Sequence, residues 1–188
     1  MTVTRWSFPG SKNPLFLKEE YIRSFRECAS HITGRLGMQI LVFPQVTGPS
    51  SYSDDRIFAK EIFGPLENQD IVLLNEHYEP DKLKGIMAHM TVFVGTRMHS
   101  NIFSLSAKVP TMAIAYQEKT TGIMEMLGLG DWVIPINDVS PKKMINMFSD
   151  LLHHRDFLKE KLIDVMPKIE LSASAAADVC KKVYDMKM

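Results

Sequence analysis

The stretch from Phe93 to Gly122, FVGTRMHSNIFSLSAKVPTMAIAYQEKTTG, decides how the rest of the chain is read. It reads as strand, turn, helix, strand, loop and the start of another helix. The apolar runs Thr91–Gly95 and Thr111–Tyr116 have strand length. Between them, His99–Lys108 carries Ile102 and Leu105 in an apolar stripe continued by Val109, while Ser100, Ser104 and Ala107 keep the helix slim against a sheet. Three basic residues of the stretch, Arg97, His99 and Lys119, fall where a strand ends and a helix begins. In a parallel α/β sheet those points share one edge, the edge where ligands bind.

The same alternation continues outward. Further candidate strands are Thr2–Trp6, Met38–Phe43, Asp70–Leu74 and Trp132–Pro135. The helix-like segments are Leu15–His31, Asp54–Phe63, Asp81–Met90 and Thr121–Leu127. In Asp81–Met90, for example, Leu83, Ile86, Met87 and Met90 recur at helical spacing. This pattern predicts an α/β fold: a single Rossmann-like domain over 1–188, its mostly parallel sheet flanked by helices on both faces. The end of the chain departs from the pattern. A helical tail from about 141 to 188 holds Pro141–Leu152, Asp156–Met166, a break at Pro167, and a last helix over Ser172–Asp185.

Bulk composition narrows the function. The 188 residues are 45% hydrophobic and 23% charged, ordinary for one globular domain. Lys plus Arg and Asp plus Glu each number 22, so no net charge draws the chain to nucleic acid. Cys28 and Cys180 lie far apart without a CxxC or histidine-rich setting, which predicts neither a metal site nor a disulfide framework, and a reducing compartment. No apolar run reaches the length of a transmembrane span, and MTVTRWSFPG lacks a signal-peptide pattern, so a cytoplasmic protein is expected. Most of the 13 methionines sit at helical spacing among apolar residues and read as core filler.

At the first junction, Thr96 is placed as N-cap, with Arg97, Met98 and His99 in the first helical turn. An arginine there opposes the helix dipole, and a bound carboxylate or phosphate would offset that. Either Arg97 pairs with a structural carboxylate and His99 is a capped imidazole, or the group holds a ligand. Lys119, at the next junction, tips the balance: two cations and an imidazole about one crevice suit a small, multiply charged anion. Glu118 reads as a loop carboxylate or an orienting partner. Gln45, Glu76 and Arg5 also follow candidate strands and are possible cleft residues, as is Ser100 beside His99. No GxGxxG, P-loop, GxSxG or HExxH motif is present.

The longer run FVGTRMHSNIFSLSAKVPTMAIAYQEKTTGIMEMLGL, 93–129, resembles the signature of the polysaccharide pyruvyltransferase family. That signature is an apolar strand, G-T-R-L-H-S/A, a small-residue helix, G-V-P, a second strand and Y-x-x-K. Here Met98 replaces Leu, Asn101 a smaller residue, and Lys108 the glycine before Val-Pro. Thr4-Arg5-Trp6 weakly resembles an R-x-W strand. The resemblance implies transfer of a pyruvyl group from phosphoenolpyruvate to hydroxyls of a polysaccharide or glycan-precursor sugar, with release of phosphate and no further cofactor. It implies Arg97, Met98 and Lys119 as donor-binding residues and His99 as the acid/base. It also implies two Rossmann-like halves of GT-B type, this chain resembling the C-terminal, donor-binding half.

The missing N-terminal half would then be a partner and the fragment alone a poor catalyst, with an apolar face exposed after Pro167. The alternatives are a nucleotide-sugar-binding half of a GT-B glycosyltransferase or epimerase, and a non-catalytic binding module.

Overall fold

The computed structural model describes residues 1–185. The predicted tail runs to 188, and residues 186–188 lie outside the described part.

The sheet is parallel, as expected, and its strands are shorter than the candidate runs. Strands β1 (Ile40–Val42) and β2 (Ile71–Leu73) pair with each other. Strands β3 (Phe93–Gly95), β4 (Thr111–Ala115) and β5 (Val133–Pro135) form a second group in that order. Prolines limit several of them: Pro44 follows Phe43, Pro110 precedes β4 and Pro135 ends β5, and none can donate to a ladder.

The N-terminal segment joins the two groups. The expected strand Thr2–Trp6 is reduced to a parallel bridge between Thr2 and Gly95. Thr2 donates its N–H to Val94 at 2.9 Å, while on the other side the Phe43 N–H reaches the Met1 carbonyl at 2.8 Å. The chain then leaves the sheet, through Phe8 at φ 52 and Pro9 without an N–H. Counting this segment as the first strand gives the spatial order 3-2-1-4-5-6, that of a doubly wound nucleotide-binding sheet.

Helices α1 (Pro14–Gly34), α2 (Asp55–Phe63), α3 (Pro80–Met87), α4 (Met98–Ser106), α5 (Glu118–Met126) and α6 (Pro141–His153) cover the sheet. Pro14, Pro80 and Pro141 each open a helix at a position where the missing N–H has no intrahelical partner anyway. One hydrophobic cluster gathers Val3, Phe25, Val42, Val94, Ile114 and Phe148, and reaches into α7 (Arg155–Asp185) through Leu158 and Leu162. A smaller cluster holds Phe43, Leu83, Met87, Phe93 and Val109. Neighbours Val42 and Phe43, and Phe93 and Val94, divide between the two clusters, as alternate residues of a strand must. Cys28 is buried in the core, where burial pushes its thiol up to about 12, and Cys180 is exposed; both are free.

Pro167 does not break the tail. Helix α7 runs continuously from Arg155 to Asp185 through it. Beyond Pro167 no glycine offers a stop, and Lys168-Ile169-Glu170-Leu171 leads into an alanine-rich stretch of strong helix formers. Up to Met166 the helix is anchored by Leu158, Leu162 and Met166. Past it, Leu171, Val179, Val183 and Tyr184 are exposed, the apolar face expected after Pro167.

Candidate active site

The carboxyl ends of the strands bring the sequence-predicted residues to one edge of the sheet. Arg5 follows the N-terminal segment, Gln45 follows β1, Glu76 follows β2, Arg97 and His99 follow β3, and Glu118 and Lys119 follow β4. The switch point lies between the N-terminal segment and β3, where connections run off in opposite directions; a crevice opens there in sheets of this order.

Arg97 stands at that point. It is the N-cap of α4, with φ −77 and ψ 127, and not part of the first turn. Thr96, expected in that role, is instead fully buried. Its hydroxyl lies 2.8 Å from that of Tyr21, and its N–H meets the Thr2 hydroxyl at 3.2 Å. A capping side chain must lie at the helix mouth, whereas Thr96 is drawn into the core by Tyr21 and the N-terminal segment. Ser100 is likewise structural: its hydroxyl donates to the Arg97 carbonyl at 2.6 Å and lies 2.8 Å from Thr2 Oγ1.

The Arg97 guanidinium pairs with a structural carboxylate, Asp55. Nη2 donates to Oδ1 at 2.7 Å and Nε to Oδ2 at 3.2 Å. Burial alone would pull the Arg97 pKa down; the Asp55 hydrogen bonds and charge overcome it and raise the pKa, with Tyr116 adding to the effect. Arg97 therefore carries its charge before any ligand arrives, and part of its surface remains open.

His99 and Lys119 are exposed, as is Glu118, while Met98 is half-buried as the first residue of α4. Neither α4 nor α5 has a side-chain cap, so their first N–H groups remain available at two adjacent junctions. An anion at this edge would meet those N–H groups and the positive ends of two helix dipoles.

Arg5 packs against α2 and lies 5.5 Å from the ring centroid of Tyr52, in the loop after β1. It forms an ion pair with Glu61 at 2.7 Å and lies over the Phe58 ring, 4.7 Å from its centroid. Glu76 is exposed beyond β2, the strand farthest from β3 on that side. Gln45 contributes its N–H to Asp55 at 3.1 Å, while its side-chain oxygen is buried without a partner. Sequence reasoning missed Asp55, 42 residues before Arg97 and visible only as the residue after a helix cap. It also missed the ring contact of Trp6 with Tyr116, 4.6 Å between centroids, across the same edge.

A cavity of about 450 Å³ opens at the opposite edge, near Met38, Gln39, His89 and Thr91. Its lining has no arginine or lysine. Among the described residues, no group of three or more His, Cys, Asp or Glu is placed to hold a metal, and no helix is long and apolar enough to cross a membrane.

Fold and edge together define a Rossmann-like α/β domain with cationic groups at and beside its switch point. The chain belongs to the polysaccharide pyruvyl transferase family, whose model matches residues 8–118. The matched span takes in Arg97 and His99 and ends one residue before Lys119. The amylovoran biosynthesis protein AmsJ of Erwinia amylovora is 24% identical over 169 residues, covering 88% of this chain. The chain spans 40% of the length of that relative. No solved structure matches.

Proposed function

We propose that this chain supplies the donor-binding side of a pyruvyl transferase acting in polysaccharide biosynthesis, with phosphoenolpyruvate as donor. The observation that carries the reading is the edge formed by the β3–α4 and β4–α5 junctions. There Arg97, His99 and Lys119 stand at adjacent parallel strands, beside two helix N-termini without side-chain caps. Arg97 and Lys119 would hold the donor's carboxylate and phosphate, with the backbone at Met98 assisting.

His99 would deliver a proton to the methylene carbon of the enol phosphate as a sugar hydroxyl adds to the neighbouring carbon and gives its own proton back to the imidazole. The carbon–phosphate oxygen bond then breaks, phosphate leaves with the electron pair, and a second hydroxyl closes the ketal and gives up its proton. Arg97 and Lys119 would receive the charge that grows on the departing phosphate, where preorganised cations lower the barrier most.

AmsJ is named for the biosynthesis of amylovoran, and this chain spans less than half of it. We infer that the acceptor side comes from a further region of about the size of this domain or larger, that residues 1–188 form one donor-binding domain of GT-B type, and that the fragment alone turns over poorly. A cytoplasmic setting suits a donor made in central metabolism.

Calorimetric titration with phosphoenolpyruvate and with a uridine nucleotide tests the reading. Phosphoenolpyruvate should bind more tightly, and Lys119→Ala and Arg97→Lys should each weaken it about tenfold or more, the size of one charge-assisted hydrogen bond. Tighter nucleotide binding would instead support a nucleotide-sugar site. Intact binding without phosphate release, once the acceptor half and a sugar are supplied, would leave a non-catalytic binding module.

A further inference from the structure

The Asp55 carboxylate is a heavily used polar group at this edge. Its side chain is 2% exposed and accepts four hydrogen bonds. Two come from Arg97, and two from the N–H groups of Gln45 at 3.1 Å and Val46 at 2.9 Å. Asp55 is also the first helical residue of α2, where the helix dipole favours a carboxylate.

The elements it joins are not neighbours. Gln45 and Val46 follow β1, Arg97 follows β3, and the N-terminal segment runs between those strands. One side chain thus ties together both walls of the switch-point crevice. The fork geometry matters too. Nε and Nη2 are used along one edge of the guanidinium, which leaves Nη1 and the second Nη2 hydrogen on the other.

We propose that Asp55 is the positioning residue of the anion site. It fixes the rotation of Arg97 so that the free edge of the guanidinium faces the ligand, and it holds the loop after β1 against that edge. This rests on the reading of Arg97 as a ligand-binding group. Asp55 itself does not touch the ligand, because its side chain is 2% exposed and its negative charge would repel an anion.

Removal of the Asp55 charge should have an effect opposite in sign to simple electrostatics. Asp55→Asn removes a negative charge beside an anion site, so if Asp55 were only a nearby charge, phosphoenolpyruvate would bind more tightly. If Asp55 positions Arg97, binding weakens despite the more favourable net charge.

The test is calorimetric titration of the intact chain with phosphoenolpyruvate at low temperature, with circular dichroism confirming that each variant is folded. Asp55→Asn should weaken binding about tenfold, the scale of a lost charge-assisted hydrogen bond. The same change in an Arg97→Lys background should add less than about twofold, since it acts through Arg97. In nitrogen NMR the Arg97 Nε–H should exchange slowly in the wild type and rapidly in Asp55→Asn. Binding by folded Asp55→Asn that equals or exceeds wild type would overturn the proposal.

If Arg97→Lys leaves binding unchanged, the reading of Arg97 as a ligand group fails, and the positioning proposal fails with it. Should Asp55→Asn not fold, Asp55→Glu carries the test. It keeps the charge but displaces the carboxylate by one methylene, so weaker binding supports positioning and unchanged binding overturns it.

Discussion

Two consecutive β–α units, β3–α4 and β4–α5, are built alike and differ at both ends. Each helix has nine residues and lacks a side-chain cap at its start. Each ends in the same paired hydrogen bonds. Lys108 and Val109 donate back to Leu105 and Ser104, and Gly128 and Leu129 to Glu125 and Met124. At the start, Arg97 is committed to Asp55 whereas Lys119 is exposed. At the finish, the left-handed residue is Lys108 (φ 62) in one unit and Gly128 (φ 66) in the other. The first unit thus holds a preorganised cation and a strained turn; the second has a free cation and a relaxed turn. A paired cation and an exposed one on neighbouring strands suit the proposed donor, which must be oriented first and then lose phosphate.

Substitutions at the two starts should separate the units most. Arg97→Ala leaves the Asp55 carboxylate buried without its partner and should cost about 3–5 kcal/mol in chemical denaturation. Lys119→Ala should stay within about 0.5 kcal/mol of wild type while still weakening anion binding. Equal stability effects at the two positions would erase the distinction.

Next in size is Gly95→Ala, at the end of β3. A Cβ there would sit 1.8 Å from Asn101 Oδ1, which forces the α4 side chain or the strand to move. A loss of about 1–3 kcal/mol is expected. Asn101 is buried with neither amide atom partnered, so Asn101→Ala alone should be close to neutral and should recover part of the Gly95→Ala loss, the rest arising from Phe93 Cε1, 2.7 Å from the new Cβ. A double variant no more stable than Gly95→Ala would sink this account of the contact.

The helix ends give the smallest effect, with opposite signs. Lys108→Gly should stabilise by up to about 1 kcal/mol, because a side chain in the left-handed region is strained. Gly128→Ala should destabilise by about 1–2 kcal/mol for the same reason. A melting temperature that falls for Lys108→Gly would show that its side chain compensates in some other way.

Much of this contrast was legible in the sequence. Strand–helix alternation located both junctions, and the family signature marked Lys108 as standing where glycine is usual. The Asp55 pairing was not legible, because it depends on which strand lies between β1 and β3, and only the fold shows the N-terminal segment there. The contacts of Arg5 with Phe58 and Glu61 were not legible either, because they depend on how α2 packs. Thr96 had the right chemistry for a cap and the wrong surroundings, since Tyr21 on a distant helix claims its hydroxyl. Pro167 shows the limit of a local rule: one missing N–H did not outweigh the helix formers that follow it.

A structure of this chain with phosphoenolpyruvate bound would test most directly whether the two junctions serve one ligand. The expected result is an anion within hydrogen-bond reach of both the free edge of Arg97 and the Lys119 ammonium, with His99 beside the methylene carbon. An anion held by only one junction, or lodged in the cavity beside His89 at the opposite edge, would contradict it.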